Sequence, residues 1–472
     1  MCIRDRASSY QSNENERIDI QGFYQLGQVN TDIGSDNFGE LVGILGSGTQ
    51  HQFVRNFLTA NVSNIQHKGG IEYQLESDDP NRSSSHFLQW GIKYQREEIN
   101  DKINEWERLD SAGFSLPFDP NSVQLQNVFK TTNNLISNRF EAFFQNTYTS
   151  RIEGKRELQL TAGLRAAYWD LNEELFVTPR LQFLYKPLGE GKKDISYRLA
   201  AGLYYQSPFY RELRRLDGTV NEGLLSQKSM HVLGGFTLDF KMPRVSKKPF
   251  RLIAEAYYKQ LWDVVSYDID NVRIRYSGEN DATGYVAGLD MRINGEFVPG
   301  AESWINVSLL RARERLDGVQ HIVREIGDRE GTVVSDVPRP TDQFLTLSTF
   351  FQDYLPGREN FKMYLNFTVG TGLPFGIREN NTVFRNTYRY RPYHRVDIGF
   401  ALSLWDEKRK AKKPDGFLSF TKSTWLSLEV FNLMAVQNVA SNTWIKTVFN
   451  TQFAVPNFLT SRRINLRLKV DF

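Results

Sequence analysis

The sequence has almost no cysteine, because Cys2 is the only one in 472 residues. A single cysteine excludes a framework of internal disulfides and any metal site built from several thiolates. Net charge is also small, since 58 basic residues nearly balance 55 acidic ones and leave a formal charge of +3. Such a chain lacks the strongly basic surface that nucleic acid requires, so we expect no nucleic-acid partner.

Long hydrophobic runs are missing too, and no stretch approaches the roughly 18 apolar residues of a transmembrane helix. This absence does not exclude a transmembrane barrel, because each strand of such a barrel faces lipid with only every second residue. The first nine residues, MCIRDRASS, have no apolar core and are not a signal peptide. Either the protein is cytoplasmic or its natural N-terminus is missing, and we expect the second.

Catalytic and metal-binding patterns are also absent from the sequence. The six histidines are scattered along the chain without the spacing of metal ligands. The sequence contains no nucleophile-elbow, P-loop or dinucleotide-binding motif in a suitable context. We therefore expect no catalytic residue, no metal site and no cofactor, and we predict that the chain is not an enzyme.

What the sequence does contain is alternation of apolar and polar residues. Its strictest example is Ile464–Phe472, in which apolar residues occupy every second position. Successive side chains of a strand point to opposite faces, so this segment predicts a strand with one apolar and one polar face. Similar segments predict an all-β protein of sixteen strands. They span roughly residues 17–29, 53–76, 86–99, 136–150, 155–169, 174–187, 193–207, 228–241, 249–263, 282–297, 301–315, 341–354, 360–373, 393–406, 417–433 and 459–472.

The connections between these strands alternate between short and long, with one exception at residues 170–173. An antiparallel up-and-down barrel has tight turns at one rim and long loops at the other, whereas a Greek-key sandwich has no such order. Sixteen strands would also enclose a lumen too wide for side chains to fill. We therefore predict a transmembrane barrel with apolar faces towards lipid, polar faces towards the lumen and short turns in the periplasm.

Several motifs give a more specific indication through their order and spacing. They are LTAGLR (160–165) with TPR (178–180), YYQSPF (204–209) with QKS (227–229), GTGLPFG (370–376) with YHRVDIG (393–399), SLEVFNL (427–433) and the terminal Phe472. Over about residues 15–472, this set resembles the C-terminal barrel of a TonB-dependent outer-membrane receptor of the Bacteroidota type. Phe472 matches the C-terminal aromatic signature of that family.

The resemblance implies energised uptake of a large or scarce nutrient, such as a siderophore or a glycan, through the cell outer membrane. Barrels of that family typically have 22 strands around a plug domain, so sixteen strands imply a partial barrel with the plug absent. Residues 17–472 are then the barrel, and 1–16 are a non-barrel segment in which the natural origin of 1–6 stays open. The implied partners are outer-membrane lipid, the TonB complex through a plug that this chain lacks, and a surface lipoprotein.

The long loops are where a ligand would bind, and they combine aromatic residues with arginines. Aromatic rings stack on apolar or sugar faces, and arginine binds carboxylates or phosphates bidentately. As an alternative, the same residues order their own loops or contact phosphates of the outer leaflet. The predicted ligand-binding residues are Trp106 and Phe114 in the connection 100–135, Tyr210, Arg211 and Arg214 in 208–227, and Arg378, Arg385 and Arg389 in 374–392.

Two other functions stay open on the sequence alone. The first is a passive sixteen-stranded porin, and the second is a soluble all-β adhesin or glycan-binding protein. A plug encoded upstream would favour the receptor, and a signal peptide directly before Ser8 would favour the porin. Solubility in water without detergent would favour the adhesin.

Overall fold

The computed structural model describes residues 2–111, 114–189, 191, 193–298, 301–325, 327–355, 358–377, 383–407, 411, 416–447 and 451–472. No helix within these ranges is long and apolar enough to cross a membrane. The secondary structure of the described elements is almost entirely strand, and it includes one turn of helix, α1 (Tyr210–Leu213). The strands are β1 (Cys2–Val29), β2 (Leu41–Leu75), β3 (Arg82–Ser111), β4 (Phe114–Leu116), β5 (Asn127–Ile152), β6 (Arg156–Trp169), β7 (Glu174–Pro187), β8 (Asp194–Gln206), β9 (Gln227–Lys241), β10 (Pro249–Val264), β11 (Tyr267–Asp270), β12 (Arg273–Tyr276), β13 (Ala282–Val298), β14 (Ala301–Leu316), β15 (His321–Val323), β16 (Thr332–Val334), β17 (Val337–Pro338), β18 (Leu345–Leu355), β19 (Arg358–Gly370), β20 (Pro374–Phe375), β21 (Tyr388–Arg389), β22 (Tyr393–Trp405), β23 (Ser423–Phe431), β24 (Val439–Lys446), β25 (Gln452–Phe458) and β26 (Arg463–Asp471).

One large antiparallel sheet of 18 strands contains most of the chain. Removing β4 and β17, which add only short ladders to β3 and β14, leaves 18 − 2 = 16 strands. Each of these pairs with the next one along the chain, which confirms the predicted up-and-down order. That order is β1–β2–β3–β5–β6–β7–β8–β9–β10–β13–β14–β18–β19–β22–β23–β26.

The first and last strands of the sheet, β1 and β26, share no ladder among the described residues. The hairpin β24–β25, which precedes β26, reaches across to β1 and β2. The backbone N–H of Lys446 donates to Gln50 Oε1 at 2.8 Å. Ile445 packs on Gly22, where an added Cβ would lie 3.0 Å from Ile445 Cδ1. The sheet therefore curls round until its two ends are bridged by a loop.

Short and long connections lie at opposite rims of this curled sheet as predicted, with two exceptions. The connection 170–173 is short but lies at the loop rim, and 406–422 is long but lies at the turn rim. The turn rim includes the short connections 76–81, 153–155 and 242–248. The loop rim has connections long enough to form their own secondary structure. They are 207–226 with α1, 265–281 with β11 and β12, 317–344 with β15 to β17, 371–392 with β20 and β21, and 432–462 with β24 and β25.

Burial in the sheet is inverted relative to that of a barrel in water. Leu164 on β6 is 54% exposed, whereas Trp169 on the opposite face of the same strand is 3% exposed. On β26, Leu466 faces outward and is 68% exposed. The neighbouring Asn465 donates instead to the buried Glu429 at 2.8 Å. Apolar side chains thus face outward and polar side chains face the lumen, which confirms the predicted assignment of the faces.

Four strands are much longer than the alternation predicts: β1, β2, β3 and β5 extend well beyond 17–29, 53–76, 86–99 and 136–150. Polar residues interrupt the alternation in these extensions, so the pattern does not reveal them. Residues 2–16, expected outside the barrel, form the first half of β1 and pair with residues 70–56 of β2. This segment has no apolar face, so backbone hydrogen bonds to β2 hold it in the sheet.

Candidate functional site

Two segments, residues 207–226 and the hairpin β11–β12, fold onto the inner face of the wall near the loop rim, and we call them the lumen cap. Leu213 of α1 and Leu224 are each 1% exposed. They belong to one apolar cluster with Ile99 on β3 and Trp169 on β6. Burying apolar surface contributes roughly 25 cal/mol per Å². A dry core therefore joins the cap to the wall inside an otherwise polar lumen.

Three predicted ligand-binding residues instead attach the cap to the wall. The hydroxyl of Tyr210 donates to Asp101 Oδ2 at 2.8 Å, and Arg214 Nη1 lies 3.4 Å from the same oxygen. Burial, and then the charge of Asp101, raise the pKa of Tyr210, so its phenol stays a hydrogen-bond donor. Arg211 forms an ion pair with Glu14 on β1. Tyr210, Arg211 and Arg214 thus each contact an acidic residue of the wall.

The second part of the cap, the hairpin β11–β12, is held by charge. Arg273 Nη1 lies 2.9 Å from Glu105 Oε1, and Arg275 pairs with both Glu105 and Asp270. Asn56 Nδ2 also donates to Glu105 Oε1 at 2.7 Å. Burial acts to raise the pKa of Glu105, but the two arginines and Asn56 outweigh it and lower the pKa to about 2. Glu105 lies on the part of β3 that continues past the end of β6, towards the loop rim.

Acidification should release this hairpin only well below the ordinary pKa of a glutamate. Because the pKa of Glu105 is lowered from 4.5 to about 2, its contribution to docking is complete above pH 4.5. It is lost as the pH falls through 2, so pepsin should cleave residues 265–281 faster at pH 2 than at pH 4. Glu105→Gln should remove most of this dependence. Equal cleavage of the unaltered protein at both pH values would contradict the assignment.

A cavity of about 280 Å³, which we call the vestibule, lies between the lumen cap and the outer loops. The ring of Phe375 stacks on that of Tyr390, with 4.4 Å between centroids, and lies 6.5 Å from the ring of Trp444. Asp268 and Arg275 provide charge on another side of the cavity. Burial raises the pKa of Tyr390 to about 12, so its hydroxyl is neutral. The vestibule can therefore stack a flat apolar face while it hydrogen-bonds polar groups.

Two more predicted residues, Arg385 and Arg389, flank the vestibule but are bound to other protein groups. Arg385 is buried, and it donates through Nε to Glu314 Oε1 and through Nη1 to Asp268 Oδ1, both at 2.7 Å. Arg389 Nη1 donates to the carbonyl of Asp342 at 2.7 Å. These contacts fit the alternative in which the arginines order their own loops.

Solved structures share this architecture at very low sequence identity. The siderophore receptor PiuA from Acinetobacter baumannii is 11% identical with a TM-score of 0.50, over 99% of this chain and 71% of that one. The ferric-catecholate import receptor Fiu from Escherichia coli is 10% identical with a TM-score of 0.48, over 99% and 72%. The outer membrane transporter YddB from Escherichia coli is 10% identical with a TM-score of 0.48, over 100% and 76%.

No protein-family model and no curated protein matches the sequence. At 11% identity, the likeness to PiuA shows the fold alone. The chain has the antiparallel β-barrel fold of PiuA, as predicted.

The remaining predicted residues do not meet in one place. Trp106 lies on the outer face of β3, where its ring stacks on Phe53 with 4.7 Å between centroids. Phe472, the predicted C-terminal signature, follows β26 and is 74% exposed. The side chain of Phe114 and the whole of Arg378 lie outside the described residues.

Sequence reasoning missed Phe375, Trp444 and Arg275 as members of a possible site. Phe375 belongs to the GTGLPFG motif, which served only to establish the resemblance. Its position in a loop directly after a proline was the available signal, since loop aromatics are available to bind ligands. Trp444 and Arg275 also lie in predicted long loops, but the sequence does not show that these loops meet, because the vestibule depends on contacts between distant loops.

Proposed function

We propose that this chain is the membrane-spanning barrel of an outer-membrane receptor that takes up a nutrient. The observation that carries the proposal is the inverted burial of the sixteen-stranded sheet, with leucines outside and ionisable groups inside. Outward apolar residues are favourable in lipid, whereas an apolar surface of this extent would promote aggregation in water. The protein is therefore assigned to the outer membrane, and its first partner is lipid.

The lumen cap supports a gated receptor in preference to a passive porin. A porin keeps a continuous water-filled channel between its strands. In this chain, Leu213 and Leu224 pack against Trp169 in the lumen, and charged pairs fix the adjoining hairpin. The cap therefore occupies part of the lumen, and we propose that a crossing solute displaces it. In a soluble adhesin the outward leucines would be exposed to water, so that alternative does not explain them.

Energised uptake through TonB is proposed for the same chain, on the support of the ordered motifs from Leu160 to Phe472. The vestibule combines aromatic faces with charges, which suits a solute of the siderophore or glycan class. A surface lipoprotein partner, an origin in Bacteroidota and coupling through a plug rest on the resemblance alone.

Two neighbouring substitutions test the membrane assignment. Leu164→Arg should block stable insertion, because an arginine on the lipid face near the midplane costs roughly 2–4 kcal/mol. Arg165→Leu changes the lumen face of the same strand and should insert like the unaltered protein. Folding into liposomes, followed by heat-modifiable electrophoretic mobility, measures the inserted fraction of each variant. Equal insertion of the two variants would contradict the assignment of faces, and solubility without detergent would favour the adhesin.

A further inference from the structure

A second cavity, of about 440 Å³, lies inside the lumen next to the start of the cap, and we call it the lumen cavity. Ser207, at the start of the cap segment, lines it, and the carbonyl of Pro208 accepts a hydrogen bond from Arg139 Nη2 at 2.7 Å. Its walls come from β2, β3, β5, β6, β7 and β8. It contains one acidic side chain, Glu141, and five basic ones: Lys68, Lys93, Arg139, Arg165 and Arg180.

Two of the five cations are neutralised by neighbouring carboxylates. Lys93 Nζ lies 3.4 Å from Glu141 Oε1, and Arg139 Nη2 lies 3.3 Å from Glu97 Oε2. The other three, Lys68, Arg165 and Arg180, contact no carboxylate within the described ranges. The lumen cavity therefore has an excess of positive charge that the described protein does not balance.

The two unbalanced arginines lie side by side on the inner face of adjacent strands. Arg165 on β6 is paired with Thr178, and Arg180 on β7 is paired with Gly163. This register makes the two arginines diagonal neighbours, which places their backbones roughly 7–8 Å apart. Two guanidinium groups at that separation can bind one solute that carries two anionic groups.

Aromatic rings hold both guanidinium groups in place. The guanidinium carbon of Arg180 lies 4.1 Å from the ring centroid of Tyr204, and that of Arg165 lies 5.7 Å from the centroid of Phe143. A ring against the flat face of a guanidinium leaves its N–H edge free to donate. Arg180 Nε is also buried, without a hydrogen-bond partner among the described residues. Because Nε is buried, Arg180 can reach a solute only through its Nη groups.

Two glycines provide the space that this arrangement needs. A Cβ added at Gly202 would lie 3.0 Å from Arg180 Cγ, and one added at Gly91 would lie 2.3 Å from the ring of Phe143. A side chain at position 202 would displace the aliphatic part of Arg180. A side chain at position 91 would displace the ring of Phe143, which lies against Arg165. The cavity is therefore shaped around these cations by residues of three strands, β3, β5 and β8.

We propose that the lumen cavity is a binding site for a solute that bears two or more phosphate or carboxylate groups. Arg165 and Arg180 bind the anionic groups through their N–H edges, and Lys68 adds a third charge from β2. Lys68 and Arg165 are exposed to the lumen and Arg180 is half-buried, so a multivalent anion that enters the cavity can reach all three charges. The proposal deepens the proposed function and rests on it, because it names the class of solute that crosses the lumen.

Titration calorimetry on the full chain, folded in detergent at low salt, tests the site with two probes. Pyrophosphate represents phosphates, and propane-1,2,3-tricarboxylate represents carboxylates. Arg165→Gln and Arg180→Gln should each weaken the binding of the preferred probe by about tenfold, since each removes charge-assisted hydrogen bonds. Arg251→Gln is the matched control, because Asp239 already binds that guanidinium at 2.7 and 2.8 Å, and it should bind the probe normally.

Binding of either probe supports the site, and the preference between the two identifies the anionic group. If the unaltered protein binds neither probe, the proposed site is wrong. Equal affinity in the unaltered protein and in the Arg165→Gln/Arg180→Gln variant would overturn it as well. Liposome insertion of the same samples reports separately on the proposed function. A protein that inserts but binds neither probe contradicts the anion site alone.

Discussion

Replacement of residues 208–226 by a short Gly-Ser linker should raise the conductance of the lumen to that of an open channel. These residues include α1 and supply Leu213 and Leu224, which form the dry part of the lumen cap. Without them, water can reach the inward polar side chains of the wall. In planar bilayers we expect conductance to rise from near baseline to that of a wide water-filled pore. We expect the unaltered protein to stay nearly closed.

The matched control replaces residues 31–39, in the connection between β1 and β2 at the loop rim. Most of these side chains are exposed, so the replacement shortens a loop without opening the dry core. Leu213→Asp is a milder form of the same test, because it places a charge where the side chain is 1% exposed. If the linker variant stays closed, the hairpin β11–β12 is sufficient to block the lumen. Conductance in the unaltered protein would instead favour the passive porin.

Alternation along the sequence predicted those parts of the fold that depend on two different environments. On β6 and β26, one face meets the outside and the other meets the lumen, so every second residue has to be apolar. The predicted segments 155–169 and 459–472 therefore lie close to the observed Arg156–Trp169 and Arg463–Asp471. The alternating connection lengths then gave the up-and-down order, because such a sheet allows only neighbouring strands to pair.

The same rule failed where both faces of a strand are polar. The connection 100–135 was predicted as a long loop, but most of it belongs to the extended ends of β3 and β5. Strand propensity there depends on the ladder to a neighbouring strand, which a single sequence does not display. Trp106 was therefore assigned to a binding loop, whereas it packs on Phe53 on the outer face of the wall.

Composition also identified charged loops without identifying their partners. Arg385 and Glu314 are 71 positions apart in the chain, and neither neighbourhood indicates the pairing. A buried pair of this kind becomes visible only when the loop is folded back onto β14. The lumen face was easier to predict, because Arg165 lies within a strictly alternating strand. The sequence does not show, however, that Arg165 lacks a carboxylate partner.

Glu314→Gln should release the connection 371–392 from the wall. The carboxylate of Glu314 is fully buried and binds Arg385 at 2.7 Å and Arg339 at 3.4 Å. Loss of one partner from a buried pair typically costs about 3–5 kcal/mol. Arg385 keeps the half-exposed Asp268 as a partner, so we expect a cost near the lower end of this range. Amide exchange in 383–392, measured in detergent by mass spectrometry, should accelerate by on the order of 100-fold or more. Glu330→Gln, at an exposed acidic position in the connection 317–344, is the matched control and should leave exchange unchanged.

A double-mutant cycle then separates an ordering role of Arg385 from ligand binding. If Arg385 and Glu314 act as a unit, Arg385→Gln alone should accelerate exchange nearly as much as Glu314→Gln. The double variant should cost less than the sum of the two, with a coupling energy of about 0.5–3 kcal/mol. This follows because each single substitution leaves one buried charge, whereas the double variant leaves neither of the pair. Strictly additive effects would contradict the pair. An Arg385→Gln variant with normal exchange but weaker ligand uptake would return Arg385 to the predicted ligand site.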